Sequence, residues 1–151
     1  MPSQLPSVLI VDDNRDFCYC LFEAFGFDVN ATHEPKTALH PLRNRSYDVA
    51  LLDRQMPDID GVTLLRRLRQ LRPELVGVLV TAHAVVETPD ELRRAGFLKV
   101  VQKPVEFPVL FDAVKDVFEQ SESMMSERQQ RDAAARTCSR TSCCIRAAAG
   151  N

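Results

Sequence analysis

Strand-like and helix-like segments alternate five times between residues 5 and 120, and this alternation limits the possible folds more than any other feature of the chain. Short apolar or alternating runs, which are typical of β-strands, occupy residues 8–11, 27–31, 49–52, 76–80 and 100–101. A segment with helical periodicity follows each run, at residues 14–25, 35–43, 61–71, 89–95 and from 108 onward. Alternating β and α units predict an α/β domain with a parallel sheet and helices on both of its faces.

The helical segments differ in the strength of their signals. Residues 61–71 carry leucines at helical spacing that we expect to face the core, namely Leu64, Leu65, Leu68 and Leu71. Thr88 is expected to cap the next helix and Gly96 to end it. The segment 35–43 is weaker, because Pro41 lies inside it and is expected to kink or end the helix.

The composition is that of a globular protein and excludes several other classes. The 151 residues suffice for one domain with a core, and 45% of them are hydrophobic and 26% charged. The formal net charge of −2 does not favour general binding to nucleic acids or anionic membranes. No apolar run approaches the length of a membrane span, and no charged start leads into a hydrophobic signal segment. We therefore expect a cytoplasmic protein.

The last part of the chain has a different composition. Residues 121–151 contain few large apolar side chains, so no second core is expected there. We predict that this tail prolongs the last helix through Met124 and Met125 and is disordered beyond Arg136. The chain is thus expected to consist of a domain at 5–120 and a tail at 121–151.

The five cysteines do not have the regular spacing of a small disulfide-rich protein, and we interpret them as reduced thiols. Three of them lie in the tail, at Cys138, Cys143 and Cys144. A metal-binding or redox module in the tail is an alternative, but these thiols lack the paired C-x-x-C spacing of zinc sites.

Chemically active side chains follow four of the predicted strands. Asp12 and Asp13 follow the first strand, Asp53 the third, Thr81 the fourth and Lys103 the fifth. Because ligands bind at the carboxyl ends of the strands in an open parallel sheet, we expect these groups to share one edge. Three carboxylates at one edge repel one another and favour a bound cation, and Mg²⁺ prefers such hard oxygen ligands. An aspartate can also attack phosphorus, while an amine and a hydroxyl stabilise the charge in transit. The set predicts Mg²⁺-dependent phosphoryl transfer.

Each of these residues also has an ordinary structural interpretation. Asp12 or Asp13 alone is more often a helix cap than a metal ligand. Thr81 alone is a common strand-ending residue, and Lys103 alone a solvated surface charge. Their joint occurrence at the ends of four strands favours a functional site over these separate explanations.

The spacing of these motifs resembles that of the receiver domains of two-component response regulators. The matching elements are Asp12-Asp13, Asp53…Pro57…Gly61, Thr81-Ala82 and Lys103-Pro104. The resemblance covers roughly residues 5–120. It implies a doubly wound, flavodoxin-like sheet of five parallel strands in the order 2-1-3-4-5, with helices on both faces.

The resemblance also implies a metal site around the acidic residues. Asp53 resembles the phosphoacceptor, which also contacts the metal. Asp13 resembles the direct ligand of Mg²⁺, and Asp12 resembles the acid that holds the metal through water. The backbone carbonyl of Gln55 would be a further ligand of the metal.

Two further residues have implied roles in the reaction. Thr81 resembles the hydroxyl that hydrogen-bonds the phosphoryl group, and Lys103 resembles its ion-pair partner, with a cis peptide before Pro104. The implied function is acceptance of a phosphoryl group by Asp53 from a sensor histidine kinase or a histidine phosphotransfer protein. Slow hydrolysis at the same site would end the signal, so the protein would not be a turnover enzyme. Its output would be phosphorylation-dependent binding to another protein, with no direct contact to nucleic acid or membrane. The alternative is the receiver portion of a truncated transcriptional regulator.

The chain departs from the family pattern three residues before the lysine. Val100 stands where the family usually has Tyr or Phe. In the usual switch this aromatic ring turns inward when the threonine moves toward the phosphoryl group. Valine has no ring to turn, so we do not expect this coupling here. Phe97 is the nearest preceding aromatic residue, and an alternative is that it contributes the aromatic face.

Overall fold

The computed structural model describes residues 6–14, 16–17 and 28–148, with side chains as far as residue 136. Most of the first predicted helix at residues 14–25 therefore lies outside the described residues, as do Cys18 and Cys20. Within that segment, Asp16 and Phe17 have helical backbone. The side chains of the three tail cysteines also lie outside the described part.

Five parallel strands form one sheet in the order β2-β1-β3-β4-β5, which confirms the predicted topology. The strands are β1 (Ser7–Val11), β2 (Asp28–Thr32), β3 (Val49–Asp53), β4 (Val76–Thr81) and β5 (Phe97–Gln102). The fifth strand is longer than predicted, because its pairing with β4 includes positions on either side of the short apolar run at 100–101. Since β1 and β3 lie inside the sheet, every residue of β3 is buried.

Among the described residues, one 3₁₀ turn and three helices lie between strands, and a fourth helix follows β5. The turn is Pro35–Thr37, and the helices are α1 (Leu39–Asn44), α2 (Gly61–Leu71), α3 (Pro89–Ala95) and α4 (Phe107–Ala148). The second helical segment does not end at Pro41, because α1 continues to Asn44. Pro41 is the third residue of α1, where its missing N–H has no partner within the helix in any case.

The apolar residues of the strands alternate between two faces of the sheet, and helices cover both. On one face, α4 packs four fully buried residues against the sheet, namely Leu110, Ala113, Val114 and Val117. On the other face, α1, α2 and α3 cover a second cluster that includes Leu9, Leu52 and Leu79. Leu64, Leu65 and Leu68 of α2 belong to this cluster, as predicted. Leu71 does not: it is 46% exposed at the last residue of α2, and Leu75 in the following turn is buried instead.

Helix α3 begins and ends at the residues that the sequence predicts. The Thr88 hydroxyl accepts a hydrogen bond from the Glu91 N–H, and the Glu91 carboxylate accepts one from the Thr88 N–H, so the two residues form a capping box. Gly96 follows the helix with a φ of 110°, a left-handed conformation that favours glycine. Both predictions for this helix are confirmed.

The chain divides into two compact units, Met1–Glu119 and Gln120–Asn151. The backbone of α4 is helical to Ala148, past the position at which the sequence analysis expects disorder. Residues 121–148 contain no Pro or Gly, and ten of these 28 residues are Ala or Arg, which have high helix propensity. The functional division into a domain at 5–120 and a tail remains a prediction. Within the described residues, no helix has both the length and the apolar composition that crossing a membrane requires.

Candidate functional site

The carboxyl ends of four neighbouring strands form the site. Asp12 directly follows β1, Asp53 ends β3, Thr81 ends β4 and Lys103 directly follows β5. Backbone hydrogen bonds hold these ends in register: the Arg54 N–H donates to the Val80 carbonyl over 2.8 Å, and the Lys103 N–H donates to the Thr81 carbonyl over 2.7 Å. The parallel order of the sheet therefore places the predicted site residues along one edge.

Three carboxylates cluster at this edge. One oxygen from each of Asp12, Asp13 and Asp53 lies within 4.8 Å of the others. Asp12 and Asp53 are 1% and 8% exposed, whereas Asp13 is open to solvent. Two buried carboxylates and one accessible carboxylate suit a divalent cation that takes hard oxygen ligands and keeps some of its water, as Mg²⁺ does. The residues present therefore fit the predicted metal site.

Lys103 supplies the positive charge of the site. Its Nζ donates a hydrogen bond to Asp12 Oδ2 over 3.0 Å and lies 3.6 Å from Asp53 Oδ1. Burial by itself lowers the pKa of Lys103, but the hydrogen bond to Asp12 and the charges of Asp12, Asp53 and Asp13 outweigh burial and raise the pKa above its usual value. Lys103 is therefore an ammonium group at neutral pH, anchored on the acidic cluster.

Asp53 has a perturbed acidity. Burial and, after it, the negative charge of Asp12 raise the pKa of Asp53 from 3.8 to about 6, although the charge of Lys103 opposes the rise. The backbone N–H of Gln55 also opposes the rise in the pKa of Asp53. At pH 7 most Asp53 side chains are thus ionised, although each carries an electrostatic penalty that a bound cation would relieve.

The Thr81 hydroxyl forms hydrogen bonds within its own loop. It donates to the His83 carbonyl over 2.9 Å and accepts from the His83 N–H over 3.1 Å, and Thr81 is only 2% exposed. To hydrogen-bond a phosphoryl group on Asp53, this hydroxyl would have to leave the His83 carbonyl. Thr81 thus lies at the same edge of the sheet as the acidic cluster, and its hydroxyl proton is donated to the His83 carbonyl.

The turn after β1 is organised by the carboxylate of Asp12. Its Oδ1 accepts the Asn14 N–H over 2.9 Å, while its Oδ2 accepts Lys103. The Asn14 side chain in turn accepts the Phe17 N–H over 3.2 Å. The sequence analysis places Phe17 only in the helical segment at residues 14–25 and does not connect it with the site.

The loop after β3 closes tightly beneath Asp53. The Gly61 N–H donates to the Arg54 carbonyl over 3.0 Å, and a Cβ at Gly61 would lie 2.4 Å from the backbone oxygen of Asp53. A side chain at position 61 is therefore incompatible with this backbone arrangement. This close approach explains why the loop from Asp53 to α2 requires glycine at this position.

An ion pair that the sequence did not predict joins two loops beside the site. Arg54 Nη1 lies 2.6 Å from Glu87 Oε1, and the two side chains are 20% and 26% exposed. The pair connects the residue directly after Asp53 to the segment before α3. Because Arg54 and Glu87 are 33 positions apart in the chain, no local sequence pattern predicts this ion pair.

The structure shows where the residues lie that correspond to the conformational switch of the family. The Lys103–Pro104 peptide is cis, as the resemblance implies. Val100 lies on β5 and is 40% exposed. Phe97 is 1% exposed and belongs to the core under α2 and α3, so the interpretation of Phe97 as an alternative aromatic face is wrong.

Comparison with known proteins decides the family. The family model for the response regulator receiver domain matches residues 8–115. The chain belongs to this family. A response regulator receiver protein from Anaeromyxobacter sp. (strain Fw109-5) is 36% identical over 107 residues, which are 69% of this chain and 45% of the relative. The regulatory protein AtoC from Escherichia coli (strain K12) is 36% identical over 106 residues, which are 68% of this chain and 23% of AtoC. This receiver chain thus matches less than half the length of either relative.

Solved structures agree with this assignment. A CheY-like receiver domain protein from Methanospirillum hungatei JF-1 is 28% identical with a TM-score of 0.69, over 80% of this chain and 98% of that one. The structure described as FixJ-N is 30% identical with a TM-score of 0.64, over 74% of this chain and 92% of that one. The fold of this receiver chain is therefore CheY-like.

Proposed function

We propose that this receiver accepts a phosphoryl group on Asp53 from a histidine kinase or a histidine phosphotransfer protein, in a reaction that depends on Mg²⁺. The observation that carries the proposal is the ammonium of Lys103, 3.6 Å from the buried carboxylate of Asp53 within a cluster of three acids. Receiver domains in general bind Mg²⁺ at an acidic pocket and have a kinase or phosphotransfer partner.

The residues of the chain suggest how the transfer would proceed. An Asp53 carboxylate oxygen attacks phosphorus, a new O–P bond forms, and the bond from phosphorus to the donor nitrogen breaks. Lys103 offers its charge to the phosphoryl oxygens, and Thr81 offers its hydroxyl after leaving the His83 carbonyl. The hydroxyl is already oriented by its own loop, so the change it requires is local.

The metal site of this proposal uses the same acids. Asp13 would bind the cation directly, Asp12 through water, and Asp53 and the Gln55 carbonyl would complete the protein ligands. Mg²⁺ would neutralise charge on the transferred group. Water attacking at the same place would return Asp53 to its free state, so the protein acts as a phosphoacceptor rather than as a turnover enzyme.

We propose that the output is binding of another protein that distinguishes the phosphorylated from the free receiver, in the cytoplasm. A second candidate is that the chain is the receiver portion of a longer transcriptional regulator. The length comparison favours this candidate, because the match covers only 23% of AtoC, a protein named as regulatory. A coding sequence that continues beyond residue 151 into a DNA-binding domain would support the second candidate, and retardation of DNA by this chain alone would contradict the first.

The test of phosphoacceptance uses acetyl phosphate with Mg²⁺ and intact-mass measurement. We expect the wild type to gain the mass of one phosphoryl group, and Asp53→Asn to gain none. Asp58→Asn serves as the matched control, because Asp58 lies in the loop that follows Asp53 and its side chain is 60% exposed. Chelation of Mg²⁺ should also prevent the gain. Equal labelling of the wild type and Asp53→Asn would contradict the proposal.

A further inference from the structure

We infer that Phe17 is a positioning residue for Lys103: the face of its ring holds the ammonium group where it can meet a phosphoryl group on Asp53. This inference rests on the proposed function. The observation behind it is that Lys103 Nζ lies 4.9 Å from the centroid of the Phe17 ring. A cation within about 6 Å of a ring centroid and over its face is attracted by the negative face of the π system.

The surroundings of the ammonium make this contact more than incidental. The Lys103 side chain is 24% exposed, so the ammonium is partly removed from water, and the attraction is less screened than at a free surface. Phe17 itself is partly buried and packs against the core cluster beneath α4. The ring therefore has a fixed place, and the lysine lies against it.

A closed set of contacts ties the ring to the acid that anchors the same lysine. Asp12 accepts Lys103 with one carboxylate oxygen and the Asn14 N–H with the other. The Asn14 side chain accepts the Phe17 N–H, and the Phe17 ring lies under Lys103. The ammonium of Lys103 thus contacts the Asp12 carboxylate and the Phe17 ring, which the turn at Asn14 links to each other. A further contact is with Asp53, at 3.6 Å.

We expect the Phe17 ring to contribute most to the position of Lys103 when Asp12 interacts with a bound cation. Asp12 shares its negative charge with any cation that it helps to bind, so its attraction for Lys103 weakens in that state. The Phe17 ring has no net charge to share and keeps its contact with the ammonium. A long lysine side chain that remains held loses less rotamer freedom when it pairs with a phosphoryl group. We therefore expect loss of the ring's electron density to weaken binding of a phosphoryl analogue at Asp53.

The first experiment tests the contact in the protein without Mg²⁺. A lysine over a ring face experiences its ring current, so NMR should show the Lys103 ε-methylene protons upfield of those of Lys36, whose side chain is 79% exposed. Phe17→Leu should remove the upfield shift, and Phe17→Tyr should retain it. Lys103 resonances at the Lys36 position in the wild type would overturn the inference.

The second experiment separates the electrostatics of the ring from its packing. Phenylalanines with one, two and three fluorine atoms are placed at position 17, because fluorine withdraws electron density from the ring face while the ring's shape is nearly kept. Beryllofluoride affinity in the presence of Mg²⁺ should fall stepwise along the series, by about two- to fivefold in total. A merely structural role predicts no such gradient.

The matched control uses a second aromatic residue beside a lysine. Lys115 Nζ lies 5.6 Å from the centroid of the Phe111 ring, and neither residue belongs to the acidic site. The same fluorinated residues at position 111 should leave beryllofluoride affinity unchanged. A flat series at position 17, with normal binding by the wild type, would overturn the role of Phe17 alone. Failure of the wild type to bind beryllofluoride at all would instead contradict the proposed function.

Discussion

Replacement of Asp53 by asparagine should stabilise the fold in the absence of metal, and the gain should grow with pH. Burial and the charge of Asp12 raise the pKa of Asp53 from 3.8 to about 6. The native state therefore binds this proton more tightly than the unfolded chain does, and ionisation of Asp53 lowers the free energy of unfolding. Asparagine has a similar shape but never carries the charge, so it avoids this penalty.

The size of the effect follows from the pKa change. A rise from 3.8 to about 6 corresponds to about 3 kcal/mol once Asp53 is ionised in both states. The penalty is absent well below pH 3.8, develops as the pH rises, and is complete above the native pKa of about 6. The advantage of Asp53→Asn should thus increase from about 1 kcal/mol at pH 4.5 to about 3 kcal/mol at pH 7.5.

Urea denaturation of both proteins across this pH range, with a chelator present, measures the difference directly. Asp58→Asn is the control: its side chain is 60% exposed and lies 3.6 Å from Lys36, and such surface pairs contribute little. The control should differ from the wild type by a small and nearly constant amount. A gain from Asp53→Asn that is the same at both ends of the range, or a more stable wild type at pH 7.5, would refute the electrostatic reasoning.

Three further substitutions test separate features of the structure. Lys103→Met removes a charged hydrogen bond to the buried Asp12, so it should lower the free energy of unfolding in urea by about 1.5–3 kcal/mol. Labelling by acetyl phosphate should also slow. Unchanged stability would contradict the anchoring of this lysine. Gly61→Ala should cost about 1–3 kcal/mol and slow the labelling of Asp53, because the new Cβ would lie 2.4 Å from the Asp53 carbonyl oxygen; a normal labelling rate would show that the loop adjusts without moving Asp53. Thr88→Ala removes a helix cap and should cost about 1 kcal/mol in thermal or urea unfolding while labelling stays normal, and a labelling defect would indicate that the cap also supports the site.

The sheet and its edge were predictable because their signals are local and repeated. Each buried strand is a short apolar run, and the alternation with helices fixes a parallel arrangement whose carboxyl ends meet. Asp12, Asp53 and Lys103 could therefore be assigned to one edge from their positions after strands. The caps of α3 could be predicted from the sequence for the same reason, since capping depends on neighbours within four residues.

The features that sequence did not predict depend on three-dimensional placement. Leu71 fits the helical stripe of α2 but is 46% exposed, because the helix ends there and Leu75 occupies the core. Pro41 breaks helices in general, yet it lies in the first turn of α1, where it is tolerated. The contact of Phe17 with Lys103 joins residues far apart in the chain, and the helical periodicity of residues 14–25 gives no sign of it.

Asp12 has a practical consequence for any mutational dissection of this receiver. Its two oxygens hold different structures, since one fixes the amine of Lys103 and the other the turn at Asn14. An alanine at position 12 would release both together with one member of the acidic cluster, so its phenotype would mix three separate losses. Asp13 is exposed at the same cluster, and its replacement removes one acid while both contacts of Asp12 remain in place.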